Sequence, residues 1–105
     1  MQYISSVFRA LADPTRRQIL QELRRKELTA GDIAARFTIS GPSISRHLLI
    51  LRHAQLVDQR REANRIYYSL KPERIAGTVG AFLSAVCPAQ YRLGNRKPTE
   101  KRRRS

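Results

Sequence analysis

Three prolines punctuate this chain. Pro14, Pro42 and Pro72 each stand at the head of an amphipathic run. A proline suits the first turn of a helix, where its missing N–H would have had no partner. The runs they open are short, so the chain is restricted to a cluster of brief helices. Asp13 precedes Pro14 as an N-cap, and Ile19, Leu20 and Leu23 then predict the inner face of a helix from Pro14 to about Arg25. Upstream, Ile4, Val7, Phe8 and Leu11 recur at helical spacing and predict a short first helix. Thr29, with Asp32 three residues later, reads as the start of a third helix to about Phe37, burying Ile33, Ala34 and Phe37. The turn Thr38-Ile39-Ser40-Gly41-Pro42 leads into a fourth helix reaching about His53, with Ile44, Leu48 and Leu51 inward. Pro72 opens the last helix, where Ile75, Val79, Phe82, Leu83 and Val86 form one apolar stripe closed by Cys87-Pro88.

Between the fourth and last helices the period changes. Leu56 to Arg61 and Arg65 to Leu70 read as two strands joined through Glu62-Ala63-Asn64. Asn64 is the residue expected to take a left-handed conformation in that turn. Tyr67 and Tyr68 are neighbours on a strand, so one faces outward and the other the core.

The charge narrows the class of partner. The 105 residues carry 21 Lys+Arg against 8 Asp+Glu, a formal net charge of +13. Such an excess favours a polyanion, most simply nucleic acid. The last fourteen residues, Arg92 to Ser105, hold +6 of it and lack apolar periodicity, so they are expected to be a disordered basic tail after a domain of residues 1–91. The body keeps +7, and the nucleic-acid reading does not depend on the tail. With 41% apolar residues the chain has enough to fold. No apolar run is long enough to span a membrane, the N-terminus does not resemble a signal peptide, and one cysteine makes no internal disulfide. A cytoplasmic protein is expected.

Two short helices, a tight turn and a basic hairpin together predict a winged helix-turn-helix: mostly α, about five helices plus a two-stranded wing. On the fourth helix Ser43, Arg46 and His47, with Ser40 at its start and Ser45 flanking, are the candidate groups for a DNA groove. Arg46 is placed to donate two hydrogen bonds to guanine. Arg60, Arg61 and Arg65 on the wing are candidates for phosphate or the minor groove. The last stripe (Ile75, Val79, Phe82, Leu83, Val86) and the first helix (Ile4, Val7, Phe8) are candidates for a homodimer interface, against the alternative that they pack within their own domain.

Three stretches carry a family resemblance: VFRALADPTRRQIL from Val7, TAGDIAARFTISGPSISRHLLILRHAQLV from Thr29, and the wing RREANRIYYSL. Together they resemble the ArsR/SmtB-type winged helix-turn-helix repressors, nearest the SdpR-like autorepressor branch. The resemblance implies a homodimeric repressor, paired through its first and last helices and binding an inverted repeat in double-stranded promoter DNA. The glycine usual in the family's wing turn is replaced here by Ala63-Asn64.

Many members of that family respond to metals. Their thiol sites use a Cys-x-Cys pair on the third helix, which reads TAGDIAARF here. Other members place Asp and His ligands on the last helix, which here has no His and only Glu73 as an acid. His47 and His53 are six residues apart, on different faces of one helix. No metal, cofactor or dithiol switch is expected, and Cys87 reads as a small apolar group at the end of its stripe. No Gly-rich phosphate loop, G-x-S-x-G or H-E-x-x-H motif points to an enzyme. The competing function is a non-specific nucleoid or RNA-binding protein.

Overall fold

A computed structural model describes residues 2–91, with side chains from Ser6 onward. The expected basic tail at 92–105 and the side chain of Ile4 lie outside the described residues. Five helices and three strands follow in the order α1 (Gln2–Leu11), α2 (Pro14–Leu23), β1 (Leu28–Thr29), α3 (Ala30–Ala34), α4 (Gly41–His53), β2 (Val57–Glu62), β3 (Arg65–Leu70) and α5 (Pro72–Val86). A single 3₁₀ turn, Ala89–Tyr91, follows α5.

Local chemistry sets the helix starts. The Asp13 carboxylate accepts from the backbone N–H of Thr15 at 2.7 Å and of Arg16 at 3.2 Å. Thr29 and Asp32 form a reciprocal capping box: the Asp32 N–H donates to Thr29 Oγ1 at 3.0 Å, and the Thr29 N–H donates to the Asp32 carboxylate at 3.1 Å. Ser40 Oγ accepts from the Ser43 N–H at 3.2 Å. α3 is shorter than its expected reach to Phe37, because the Arg36 and Phe37 amides bond three residues back and tighten the chain out of the α-helix. α4 ends in a Schellman arrangement: the Gln55 N–H donates to Arg52 O at 2.9 Å and the Leu56 N–H to Leu51 O at 3.0 Å. Gln55 takes the left-handed position there, with φ 62°.

The sheet has one strand more than expected. β1, β3 and β2 lie side by side in that order, all antiparallel, with Leu28 opposite Tyr68 and Thr29 opposite Tyr67. In the wing Glu62 pairs with Arg65, leaving Ala63-Asn64 as a two-residue loop. The left-handed residue is Ala63, with φ 57°, rather than Asn64. The pairing register puts the positive φ at the first loop position, where Ala carries a Cβ that strains against the following carbonyl. Ala63→Gly is expected to raise stability by roughly 0.5 kcal/mol, the relief of that strain exceeding the extra unfolded-chain entropy of glycine. The midpoint of urea unfolding checks this.

The core joins every layer. Val7 and Ala10 from α1, Ile19, Leu20 and Leu23 from α2, Leu28 from β1 and Ile33 from α3 meet Ile44, Leu48 and Leu51 from α4 and the Leu56-Val57 corner. Phe37, Tyr68, Leu70 and Ile75 pack partly against it. The buried stripe of α4 therefore fixes which of its faces is turned to solvent.

Candidate nucleic-acid interface

α4 shows Ser43, Ser45 and Arg46 to solvent, while Ile44 and Leu48 are buried beneath them. Ser43 and Arg46 are three residues apart and share a face. No ion pair engages Arg46 among the described residues. Ser40, expected at this surface, is exposed, and its hydroxyl caps the helix and donates to Ser43 Oγ at 3.1 Å.

His47 is half-buried, and what holds it is Arg16, 31 residues earlier. Arg16 Nη1 stands 3.3 Å from His47 Nδ1. A guanidinium only donates, so Nδ1 accepts, and the hydrogen-bond network assigns the ring proton to Nε2. The same guanidinium donates from Nε to Ala10 O at 2.8 Å and from Nη2 to Arg9 O at 3.1 Å, at the C-terminal end of α1. Arg16 thus ties the first helix to the fourth. Sequence reasoning missed it, because no local pattern pairs an arginine with a histidine so far away.

Asp13 stands beside this cluster, 4.0 Å from Arg16 Nη1. Partial burial pushes its carboxyl pKa up, but the Arg16 and Thr15 amides and the Arg16 charge outweigh that and leave it below the ordinary aspartate value. A depressed pKa contributes stability above the unfolded aspartate pKa, and this is lost as pH falls through the folded one. Asp13→Ala is expected to cost about 1 kcal/mol at neutral pH through loss of the cap. Asp13→Asn keeps an acceptor, so its deficit against the natural protein should shrink as pH drops below the carboxylate range. Chemical unfolding of all three at neutral and acid pH tests the sign.

The three wing arginines are not equivalent. Arg60 donates from Nε and Nη2 to the two Glu27 carboxylate oxygens at 2.9 and 2.8 Å, and from Nη1 to Glu62 at 2.5 Å. Its guanidinium also lies 4.8 Å from the Tyr67 ring centroid. These bonds push the Arg60 pKa up, and the Arg60 hydrogen bonds hold the Glu27 carboxyl low. Arg60 therefore fastens the wing to the segment before β1, its charge offset by two carboxylates, which differs from the free phosphate contact expected of it. Arg61 lies opposite Ile66, is exposed, and has no ion-pair partner among the described residues. Arg65 is exposed, and its charge, with that of Arg36, adds to the Thr29 hydrogen bonds that lower the Asp32 pKa. Arg65→Ala is expected to reduce the slope of log affinity for DNA against log salt by about 1. Arg60→Ala should leave that slope nearly unchanged, and titrations at several salt concentrations distinguish the two.

The candidate dimer residues divide as well. Val7 is 0% exposed in its own core and offers nothing to a partner. Ile75 packs partly against the same core. Val7 therefore serves the protomer, a correction to the expected set, while Ile75 is half-buried and keeps part of its surface outward. Phe8, Phe82 and Val86 are exposed, and Val79 and Leu83 half-buried. The Phe8 and Phe82 rings meet edge to face at 5.6 Å. α5 has no buried residue at all.

Among the described residues no group of three or more His, Cys, Asp or Glu side chains is placed to hold a metal ion. No helix among them is long and apolar enough to cross a membrane.

A helix-turn-helix with a basic antiparallel wing defines a winged helix-turn-helix transcriptional regulator. Residues 13–59 match the family described as "Bacterial regulatory protein, arsR family". The chain is 43% identical to the transcriptional repressor SdpR of Bacillus subtilis (strain 168), over 79% of this chain and 92% of that one. An ArsR-like transcriptional regulator from Rhodococcus sp. RHA1 superposes with a TM-score of 0.72 at 32% identity, covering 81% of this chain and 79% of that one. The homodimeric winged helix-turn-helix DNA-binding domain of a possible ArsR-family regulator from Mycobacterium bovis gives 0.67 at 28% identity, covering 80% and 79%. The chain belongs to the arsR family of bacterial regulatory proteins. It is a DNA-binding transcriptional regulator, not an enzyme.

Proposed function

We propose that the protein is a repressor that binds an inverted-repeat operator as a homodimer in the cytoplasm. Residues 1–91 form the DNA-binding and dimerisation domain, and 92–105 a basic arm that adds phosphate affinity without sequence choice. The observation that carries the reading is the outward face of α4. It presents an exposed arginine without an ion-pair partner among the described residues, flanked by serine hydroxyls, on a helix anchored by three buried side chains. Arg46 reads guanine, while Ser43 and Ser45 contact base edges or phosphate and the Ser40 cap aims the helix N-terminus. His47 donates from Nε2. Arg61 and Arg65 take phosphate, and Arg60 orients the wing that carries them. The dimer forms through Phe8, Ile75, Val79, Phe82, Leu83 and Val86, with Ile4 at the start of the same helix as Phe8. The relative named a repressor and the neighbour named homodimeric support both parts. The apolar α5 face supports a second copy as its cover.

Selection of bound sequences from a random duplex pool tests this. The expected product is an inverted repeat whose half-site centres lie roughly 10–10.5 base pairs apart, or a multiple of that. Recovery of sequences with no shared motif would favour the non-specific reading and overturn this one.

A further inference from the structure

Behind the recognition helix, α1, α2 and the C-terminal end of α4 border an open-sided cavity of about 370 Å³ lined by Ser6, Arg9, Arg16, Ile50, His53 and Ala54. That volume lies within the ordinary range for small-molecule sites. Its ionisable lining residues are Arg9, Arg16 and His53, and no aspartate or glutamate among the described residues lines it. Asp13, the acid paired with Arg16, is occupied by the Thr15 and Arg16 amides. The Arg16 side chain is only 11% exposed. Three of its N–H groups are used on Ala10 O, Arg9 O and His47 Nδ1. A guanidinium has five, so two donors of a nearly buried cation have no hydrogen-bond acceptor among the described residues. Ile50 packs against the core and Ala54 is buried, giving the cavity an apolar side.

We propose that this cavity binds a small organic monocarboxylate, and that occupancy reaches the recognition helix through Arg16. The carboxylate accepts from Arg16 and Arg9, the paired geometry that a guanidinium favours. The organic body lies on Ile50 and Ala54. Arg16 Nη1 is also the donor to His47, so a ligand that draws the guanidinium into the cavity loosens the hold on His47 and lowers DNA affinity. Binding in the cavity stands by itself, whereas its effect on DNA rests on the function proposed above.

The test uses the full chain with benzoate, with benzamide as the neutral isostere and inorganic phosphate as an anion without an apolar body. Without DNA, the His53 ring and the Arg9 and Arg16 side-chain resonances are followed by NMR. Saturable shifts with benzoate at millimolar concentration, weak or absent with the other two, are expected. Operator affinity should fall about fivefold or more when benzoate is saturating. Arg9→Gln should abolish the shifts and the benzoate effect while leaving operator affinity without benzoate unchanged. No saturable shift, an equal response to benzamide or phosphate, or an unaltered response in the variant would overturn the site. Binding of benzoate without a change in operator affinity would overturn the link through Arg16. A protein that recognises no operator would defeat the DNA reading while the His53 resonances still report on the cavity.

Discussion

Phe82→Asp is expected to convert the protein to a monomer and to weaken operator binding by about 100-fold or more. Phe82 is 51% exposed at the middle of the α5 stripe, with Val86 at 59% close by and Phe8 against its ring. A chain of this size leaves such aromatic surface in water only at a cost, and a second copy removes it. Aspartate would place a charge in a desolvated contact, which association cannot accommodate. The monomer should still fold, because α5 contributes no buried residue. The loss at the operator follows from bivalency: once one half-site is held, the second is met at a high effective concentration, and a monomer forfeits that gain. Phe82→Leu keeps an apolar contact and should stay dimeric. Sedimentation and operator titration of both variants decide the matter. An aspartate variant that remains dimeric, or a monomer that binds as tightly as the natural protein, would refute the assigned interface.

Arg46→Ala is expected to cost about 1–3 kcal/mol at the operator and to relax base preference at one or two positions. The side chain is exposed on the same α4 face as Ser43 and has no ion pair or hydrogen bond among the described residues, so truncation removes no internal bond among them. The effect should therefore appear in binding and not in folding. Arg46→Lys should recover part of the affinity through charge but little of the discrimination, because a lysine ammonium lacks the two-pronged geometry that matches guanine O6 and N7. Selection with each variant, alongside unfolding curves, separates these contributions. Unchanged affinity and unchanged preference in the alanine variant would show that α4 does not read bases through this residue.

How far the sequence alone reached depends on the range of each interaction. Asp13, Thr29 with Asp32, and Ser40 cap helices through amides two or three residues away, so their roles were visible in short strings. The two long strands declared themselves by period, whereas β1 has two residues and no period to read. Its partner Tyr68 lies on β3, far along the chain. The wing turn departs from residue preference: Asn tolerates a left-handed backbone better than Ala, but the two-residue loop closed by the Glu62–Arg65 pair places the positive φ at its first position, Ala63. Val7 and Phe8 are adjacent and both apolar, and only the packed neighbours reveal that Val7 is enclosed while Phe8 is exposed. The wing arginines looked alike as a basic cluster. Glu27 sits 33 residues before Arg60, and that distant carboxylate makes one of the three a fastening rather than a contact. Arg16 is the same lesson on the other side of the domain, a side chain whose bonding partners lie on two helices other than its own.

The most direct test of sequence-specific recognition is competition. The full chain, titrated at physiological salt against the inverted repeat recovered by selection, should prefer it over bulk duplex by roughly 10³-fold or more. Equal affinity for the repeat and the bulk competitor would contradict the account and leave a basic protein that coats DNA through phosphate alone.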